Sequence, residues 1–121
     1  MLQPMKDKRS LIRLDVKDFI SIRPLDEVAK HSVEGQTQDI TFIGICFISQ
    51  AQWKKGQVLL IEYFIPGESE AVNLKVVIIW SEFVSSQEGY FSGGEIYDME
   101  GENQESFVRY YFEKLREKYH Q

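Results

Sequence analysis

The feature that most restricts the fold is a succession of short apolar segments, each ended by turn residues, that starts at Phe19. Segments of this length at such regular spacing are typical of all-β barrels and sandwiches. Six strands are predicted in this way, over residues 19–25, 36–42, 45–49, 58–65, 72–83 and 90–97. Pro66 and Gly67 give a strong turn signal after the fourth segment, which predicts that the fourth and fifth strands pair as a hairpin.

The hydrophobic period changes after Gly101, from the short spacing of strands to the longer spacing of a helix. Asn103 is a residue type that caps helices. An apolar stripe then follows at Phe107, Tyr111, Leu115 and Tyr119, and Val108 and Phe112 widen it. The sequence therefore predicts one C-terminal helix, over about residues 103–119, that packs this stripe on the barrel.

The composition is that of one globular domain, with 121 residues, 43% hydrophobic and 27% charged. The chain has one cysteine, Cys46, which excludes a disulfide framework or a cysteine metal cluster. The apolar residues on either side of Cys46 predict that its side chain is buried as a small hydrophobic group. The two histidines, His31 and His120, are too few for a multi-histidine metal site and unsuited to a catalytic triad. We therefore expect no metal, no cofactor and no enzymatic activity.

The net charge of −5 disfavours a DNA- or RNA-binding protein, because phosphate contacts need a basic face. Residues 1–23 nevertheless carry six basic and three acidic side chains, so the remaining residues carry −8. An anion bound by this basic segment would be small and locally recognised. No apolar stretch resembles a secretory leader or a membrane span, and a cytoplasmic location is expected.

Two short motifs carry chemistry suited to a guanine nucleotide. Arg9 and Arg13 form an R-x-x-x-R just before the first predicted strand. An arginine can pair with a phosphate or with the O6/N7 edge of guanine, and it can stack on the base. Asp39, Thr41 and Gly44 form a D-x-T-x-x-G where one predicted strand bends into the next. A carboxylate there can accept hydrogen bonds from the ring N–H and amino group of guanine.

The spacing of the second motif predicts how it is displayed. Asp39 and Thr41 are two residues apart, so in an extended strand both side chains point away from the core. Gly44 would permit a positive φ at the bend, and its lack of a side chain would let a ligand approach the backbone. The arginine segment, crossing this outer face, would complete a site with donors on one side and acceptors on the other.

The order of these features resembles the PilZ domain from about residue 8 to the end of the chain. Both motifs occur in the family's order, followed by an apolar strand that ends in Val76-Val77-Ile78-Ile79-Trp80. The last strand contains Gly93 and Gly94, and the predicted helix follows it. The resemblance implies a six-stranded antiparallel β-barrel with one C-terminal helix that receives the second messenger cyclic di-GMP.

The resemblance also implies roles for single residues. Arg9 and Arg13 would clamp guanine and phosphate, and Asp39 would contact a guanine Watson–Crick edge. Thr41 and Gly44 would shape the bend beneath the ligand. The family has serine where this chain has Thr41, which keeps the hydroxyl and adds a methyl group.

Two further positions, Lys8 and Trp80, are secondary candidates for ligand contact. Lys8 precedes the first arginine, at a position that in the family influences whether one ligand or a stacked pair is held. Trp80 matches a position that often holds tryptophan.

The domain organisation predicted from these features is a flexible segment, residues 1–13, followed by a PilZ-like barrel and helix, residues 14–121. The resemblance implies a receptor that acts on an unidentified downstream protein. Two alternatives remain at this stage. One is a PilZ-like protein-interaction module that does not bind cyclic di-GMP. The other is a small barrel that binds single-stranded nucleic acid, which the acidic body disfavours.

Overall fold

Six strands close into an antiparallel barrel, and one helix packs against it. The computed structural model describes residues 12–26, 31–100 and 104–119. The elements are β1 (Phe19–Pro24), β2 (Val33–Ile40), β3 (Gly44–Ser49), β4 (Val58–Tyr63), β5 (Val72–Ser85), β6 (Gly89–Glu100) and α1 (Gln104–Tyr119). The strand order β1-β2-β3-β6-β5-β4 closes the barrel through pairing of β1 with β4. The predicted fold class and the predicted β4–β5 hairpin are confirmed.

The barrel interior is filled by alternate residues of each strand. Successive side chains of a strand point to opposite faces, so every second residue reaches the core. The fully buried core side chains include Ile20, Ile22, Ile45, Phe47, Leu59, Ile61, Tyr63, Val72, Leu74 and Ile78. This alternation leaves the residues between them on the outer wall, where a ligand can reach them.

Strand β2 departs from its predicted range at both ends. The strand starts at Val33, three residues earlier than predicted, and it ends at Ile40 rather than at residue 42. The Thr41 amide donates to the Gly44 carbonyl at 2.9 Å, and the Ile43 amide donates to Thr41 Oγ1 at 3.2 Å. Hydroxyl side chains favour such tight turns, because they bond nearby backbone groups. Thr41 therefore belongs to a turn and not to an extended strand.

Among the other strands, β6 ends at Glu100, three residues beyond its predicted end, and the remaining boundaries differ by one or two residues. β1 and β4 end one and two residues before their predicted ends, while β3 begins one residue early. β5 continues to Ser85, beyond its predicted end, and β6 begins at Gly89, before its predicted start. The turn of the hairpin between them is therefore shorter than predicted. Gly89 has φ 86°, which a side chain would disfavour.

Helix α1 buries part of the predicted stripe: Phe107 and Tyr111 are buried as predicted, and Leu115 is partly buried against the core. Its buried residues are Phe107, Tyr110 and Tyr111, whereas Phe112 is 45% exposed and Tyr119 is 62% exposed. With 3.6 residues per turn, a strict spacing of four drifts by about 40° per step, so the end of the predicted stripe rotates away from the barrel. The assignment of Tyr119 and Phe112 to the core was therefore wrong. The predicted cap, Asn103, lies outside the described residues.

A buried carboxylate fastens α1 to the barrel. Asp18 is 8% exposed and accepts hydrogen bonds from the hydroxyls of Tyr63, at 2.6 Å, and Tyr110, at 2.5 Å. The Asp18 amide donates to Thr37 Oγ1 at 2.8 Å, and that hydroxyl donates to the Val16 carbonyl. The chain before β1, strand β4 and helix α1 therefore meet at one side chain. None of the described helical residues forms a stretch that is both long and apolar enough to cross a membrane.

Removing the Tyr63 hydroxyl tests this junction. Tyr63→Phe leaves Asp18 buried with one donor fewer, and we expect a loss of about 1–3 kcal/mol in the free energy of unfolding. Chemical denaturation followed by circular dichroism measures it. Tyr97→Phe, at a half-exposed position on β6, is the matched control and should change stability little. Equal stability of the two variants would contradict a structural role for the junction.

The same junction predicts a loss of stability in alkali. Burial and the hydrogen bond to Asp18 raise the pKa of Tyr63 and of Tyr110 above the usual 10.0. The folded protein therefore keeps protons that the unfolded chain releases, so the stabilisation is complete below about pH 10 and decreases as the pH rises further. The free energy of unfolding should fall above pH 10 in the wild type and fall less steeply in Tyr63→Phe. Equal slopes would contradict the assignment.

Candidate functional site

A cavity of about 260 Å³ lies on the outer wall of the barrel, where the turn after β2 meets β3, β5 and β6; we call it the outer-wall cavity. The residues that line it include five of the predicted site residues: Arg13, Asp39, Thr41, Gly44 and Trp80. The two motifs, separated by more than twenty residues of sequence, therefore meet at one place. Arg9 and Lys8 lie outside the described residues, so their roles remain predictions.

Arg13 is brought to Asp39 by backbone pairing. Leu14 and Ile40 form an antiparallel bridge, with N–H to carbonyl distances of 2.8 and 2.9 Å in the two directions. The antiparallel register places Arg13 opposite Thr41, so Asp39 is its diagonal neighbour on β2, and the long arginine side chain reaches across to it: Arg13 Nε lies 3.5 Å from Asp39 Oδ1. The Arg13 side chain is 69% exposed and that of Asp39 is 13% exposed. The carboxylate is thus fixed in the wall, while the guanidinium is free to contact a ligand.

Gly44 contributes space and not an unusual backbone angle. The described residues with positive φ are Gly56, Gly67 and Gly89, so Gly44 does not use the positive φ that a glycine would permit. A methyl group on Gly44 would lie 3.2 Å from Thr41 Oγ1, the atom that closes the turn. Because Gly44 has no side chain, the turn can close and the cavity stays open at this position. Thr41 and Asp39 share the cavity because of this turn, and not because both lie in one extended strand as predicted.

Trp80 forms an aromatic wall of the cavity and lies over a glycine. The register of β5 and β6 shifts between Ile78 and Trp80, and Trp80 is opposite Gly93. A methyl group on Gly93 would lie 2.5 Å from the Trp80 ring, so the ring covers this residue. Phe91 supports the ring edge-to-face, with centroids 4.9 Å apart. The absence of a side chain at Gly93 thus sets the position of the tryptophan.

Cys46 lies in the cavity lining, whereas the sequence predicted a buried hydrophobe. It is opposite Asp39 in the β2–β3 pair, and its neighbours Ile45 and Phe47 take the inward positions. Burial, followed by the charge of Asp39 and a hydrogen bond to it, raises the pKa of the thiol to about 11, although Arg13 opposes the shift. The thiol is therefore protonated at neutral pH.

Besides Cys46 and Gly93, five more lining residues were not predicted from the sequence: Ile43, Ile45, Ile79, Gly94 and Glu95. Strand alternation could have identified Ile79 as a lining residue. Val76 and Ile78 point into the core, so the side chain of Ile79 must point to the outer wall. Gly94 and Glu95 carried no motif of their own. A methyl group on Gly94 would collide with Val76, so this glycine allows β5 and β6 to approach.

Other features of the described residues offer less chemistry. A second cavity, of about 450 Å³, lies between residues 14–18 and α1 and contains no D-x-T-x-x-G residue. Its three lysines are balanced by Asp15, Asp18 and Glu117. Across residues 12–26, 31–100 and 104–119, no group of histidine, cysteine, aspartate or glutamate could hold a metal ion.

Comparisons with known proteins agree with this fold. The PilZ domain family model matches residues 7–113. Among solved structures, the inhibitor of motility MotI/DgrA of Bacillus subtilis is similar with a TM-score of 0.70 and 16% identity, over 92% of this chain and 53% of that one. The PilZ domain of Escherichia coli YcgR, solved with c-di-GMP, has a TM-score of 0.64 and 12% identity, over 92% and 94%. No curated protein sequence matches.

The position of Trp80 can be tested by changing the glycine beneath it. In Gly93→Ala the new methyl group should displace the indole and lower stability by about 1–3 kcal/mol. With 5-fluorotryptophan labelling, the ¹⁹F resonance of Trp80 should move, while that of Trp53 serves as the internal control. Trp80→Phe assigns the two resonances. An unmoved Trp80 resonance would contradict the contact.

The state of Cys46 can be tested by alkylation. The thiolate is the nucleophile, and its smaller fraction outweighs its higher intrinsic nucleophilicity, so at pH 9 we expect iodoacetamide to react with Cys46 about fivefold to tenfold more slowly than with a thiol of ordinary pKa. Asp39→Asn should accelerate the reaction, because it removes the charge that helps to keep the thiol protonated. Asp98→Asn, a more exposed carboxylate on β6, is the control. A wild-type rate equal to that of free cysteine would refute the account.

Proposed function

The chain belongs to the PilZ domain family, and we propose that it is a receptor for cyclic di-GMP that binds at the outer-wall cavity. One observation carries the proposal. Arg13 of the first motif and Asp39 of the second lie 3.5 Å apart at a single cavity, with Thr41, Gly44 and Trp80 around them. The family is one of non-catalytic receptors and adaptors, so the proposed activity is binding and not catalysis.

The charges of the site suit a guanine nucleotide. The exposed guanidinium of Arg13 supplies donors for a phosphate or for guanine O6 and N7. The fixed carboxylate of Asp39 supplies acceptors for the ring N–H and amino group of guanine. Adenine has no ring N–H at the corresponding edge, so Asp39 gives the site a means of discriminating between the two purines.

The apolar wall of the site suits a base. Trp80 and Ile79 line the cavity, and the Trp80 ring is held flat over the wall because Gly93 beneath it has no side chain. Aromatic rings stack on nucleic-acid bases with about 1–3 kcal/mol per base. A guanine could therefore contact Trp80 while its edge reaches Asp39.

The size of the cavity explains why the first motif is needed. At about 260 Å³ it lies below the usual range of about 300–1,000 Å³ for small-molecule sites. It would therefore hold part of a ligand that has two guanines and two phosphates, and the remainder would lie against the arginine segment. We propose that Arg9, four residues before Arg13, contacts that remainder, and that the ordered segment changes the surface seen by a partner protein.

Thr41 is compatible with this function. Its hydroxyl accepts a hydrogen bond from the Ile43 amide and faces Gly44, which is a role that serine would share. The added methyl group does not remove the turn. Lys8 and Trp80 remain secondary candidates for contacts with the ligand.

Isothermal titration with cyclic di-GMP tests the proposal. The wild type should bind, and Arg9→Ala, Arg13→Ala and Asp39→Ala should each bind at least about tenfold more weakly, as expected for lost hydrogen bonds to charged groups. Arg109→Ala, an exposed arginine on α1 outside the cavity lining, is the matched control and should bind normally.

Cyclic di-AMP is the control ligand, and it should give no binding heat because Asp39 would face an edge without the guanine donors. Absence of heat with cyclic di-GMP at concentrations well above the micromolar range would overturn the proposal. A ligand-independent interaction module would likewise give no heat with cyclic di-GMP. It would also capture a partner protein equally well with or without nucleotide, and equally well after Arg13→Ala.

A further inference from the structure

We infer that Tyr111 of α1 is the positioning residue that joins the two motifs, and that it couples ligand binding to the docking of the helix on the barrel. The inference rests on the proposed function. It adds a residue that neither motif contains, and it assigns the C-terminal helix a part in binding.

Tyr111 contacts the neighbours of both motifs at the same time. Its hydroxyl donates to the carbonyl of Ile12 at 2.7 Å, one residue before Arg13. Its ring stacks on Phe42, within the second motif, with centroids 5.7 Å apart and planes 7° from parallel. The side chain is buried. One rigid aromatic residue therefore spans the gap between the arginine segment and the turn after β2.

Other contacts of α1 act in the same direction. Lys118 Nζ lies 3.3 Å from the carbonyl of Arg13, and Phe112 meets Phe42 edge-to-face with centroids 5.8 Å apart. The helix thus holds the backbone on both sides of Arg13 and one aromatic ring of the turn. None of these α1 side chains lines the outer-wall cavity, so they position the site without touching a ligand there.

This arrangement has an energetic consequence for binding. Arg13 is largely exposed and its contact with Asp39 is long, so a ligand must order this side chain. Ordering costs conformational entropy, and the cost is smaller when the backbone is already fixed. Tyr111 fixes the backbone at Ile12, and it should therefore strengthen ligand binding. By thermodynamic reciprocity, bound ligand should strengthen the docking of α1 by the same factor.

Tyr111→Phe separates positioning from packing, because it keeps the ring that stacks on Phe42 and removes only the hydroxyl. We expect its dissociation constant for cyclic di-GMP, measured by isothermal titration, to rise about three- to tenfold. Tyr119→Phe, an exposed tyrosine on the same helix, should bind like the wild type. Ile22→Val, a core change in β1, controls for general loss of stability and should also leave the dissociation constant unchanged.

Hydrogen exchange at individual amides provides a second measurement, which would not respond if Tyr111 contributed only to general stability. Without ligand, Tyr111→Phe should speed exchange of the Leu14 and Ile40 amides relative to Ile22→Val of matched stability, because these amides form the bridge beside Arg13. With cyclic di-GMP, exchange in α1 should slow in the wild type and slow less in Tyr111→Phe.

The outcomes distinguish this inference from the proposed function. A wild type that binds, together with an unchanged dissociation constant in Tyr111→Phe, would overturn the inference and leave the proposed function standing. A wild type that gives no heat would overturn the proposed function. The ligand-free exchange would then still decide the positioning role, since equal exchange at Leu14 in Tyr111→Phe and Ile22→Val would refute it.

Discussion

The antiparallel bridge between Leu14 and Ile40 is the interaction on which the candidate site depends. It consists of two backbone hydrogen bonds, of 2.8 and 2.9 Å, between the segment before β1 and the last residue of β2. Because the side chains of both residues are buried, the bridge is also anchored in the core. It places Arg13 opposite Thr41 and within side-chain reach of Asp39, so that residues far apart in the sequence meet at one cavity.

The site combines fixed and movable parts. Asp39 and Trp80 are held in the wall by strand pairing, by the turn at Thr41 and by the glycine opposite the indole. Arg13 projects into solvent from a backbone that is fixed on both sides. Fixed acceptors with a movable donor suit the proposed receptor, since the wall could select the base while the exposed Arg13 side chain turns toward the ligand. The buried Asp18 junction fastens the helix that supports this segment.

Much of the fold could be predicted from the sequence, because strand alternation and turn residues are local signals. The number of strands, the antiparallel barrel and the helix were predicted correctly. The errors arose where tertiary contacts decide. The turn at Thr41 depends on hydrogen bonds to Ile43 and Gly44, and the buried stripe of α1 depends on how the helix lies on the barrel. Cys46 and the space under Trp80 follow from strand register, which composition does not reveal.

The central claim is that both motifs form one cyclic di-GMP site on the outer wall. Amide chemical-shift mapping during titration with cyclic di-GMP tests it most directly. The account predicts that the largest shifts cluster at residues around the outer-wall cavity, namely Arg13, Asp39, Thr41, Gly44, Cys46, Trp80, Gly93 and Gly94, with smaller shifts in α1. Shifts concentrated instead along residues 14–18 and the end of α1, or no shifts at saturating ligand, would contradict it.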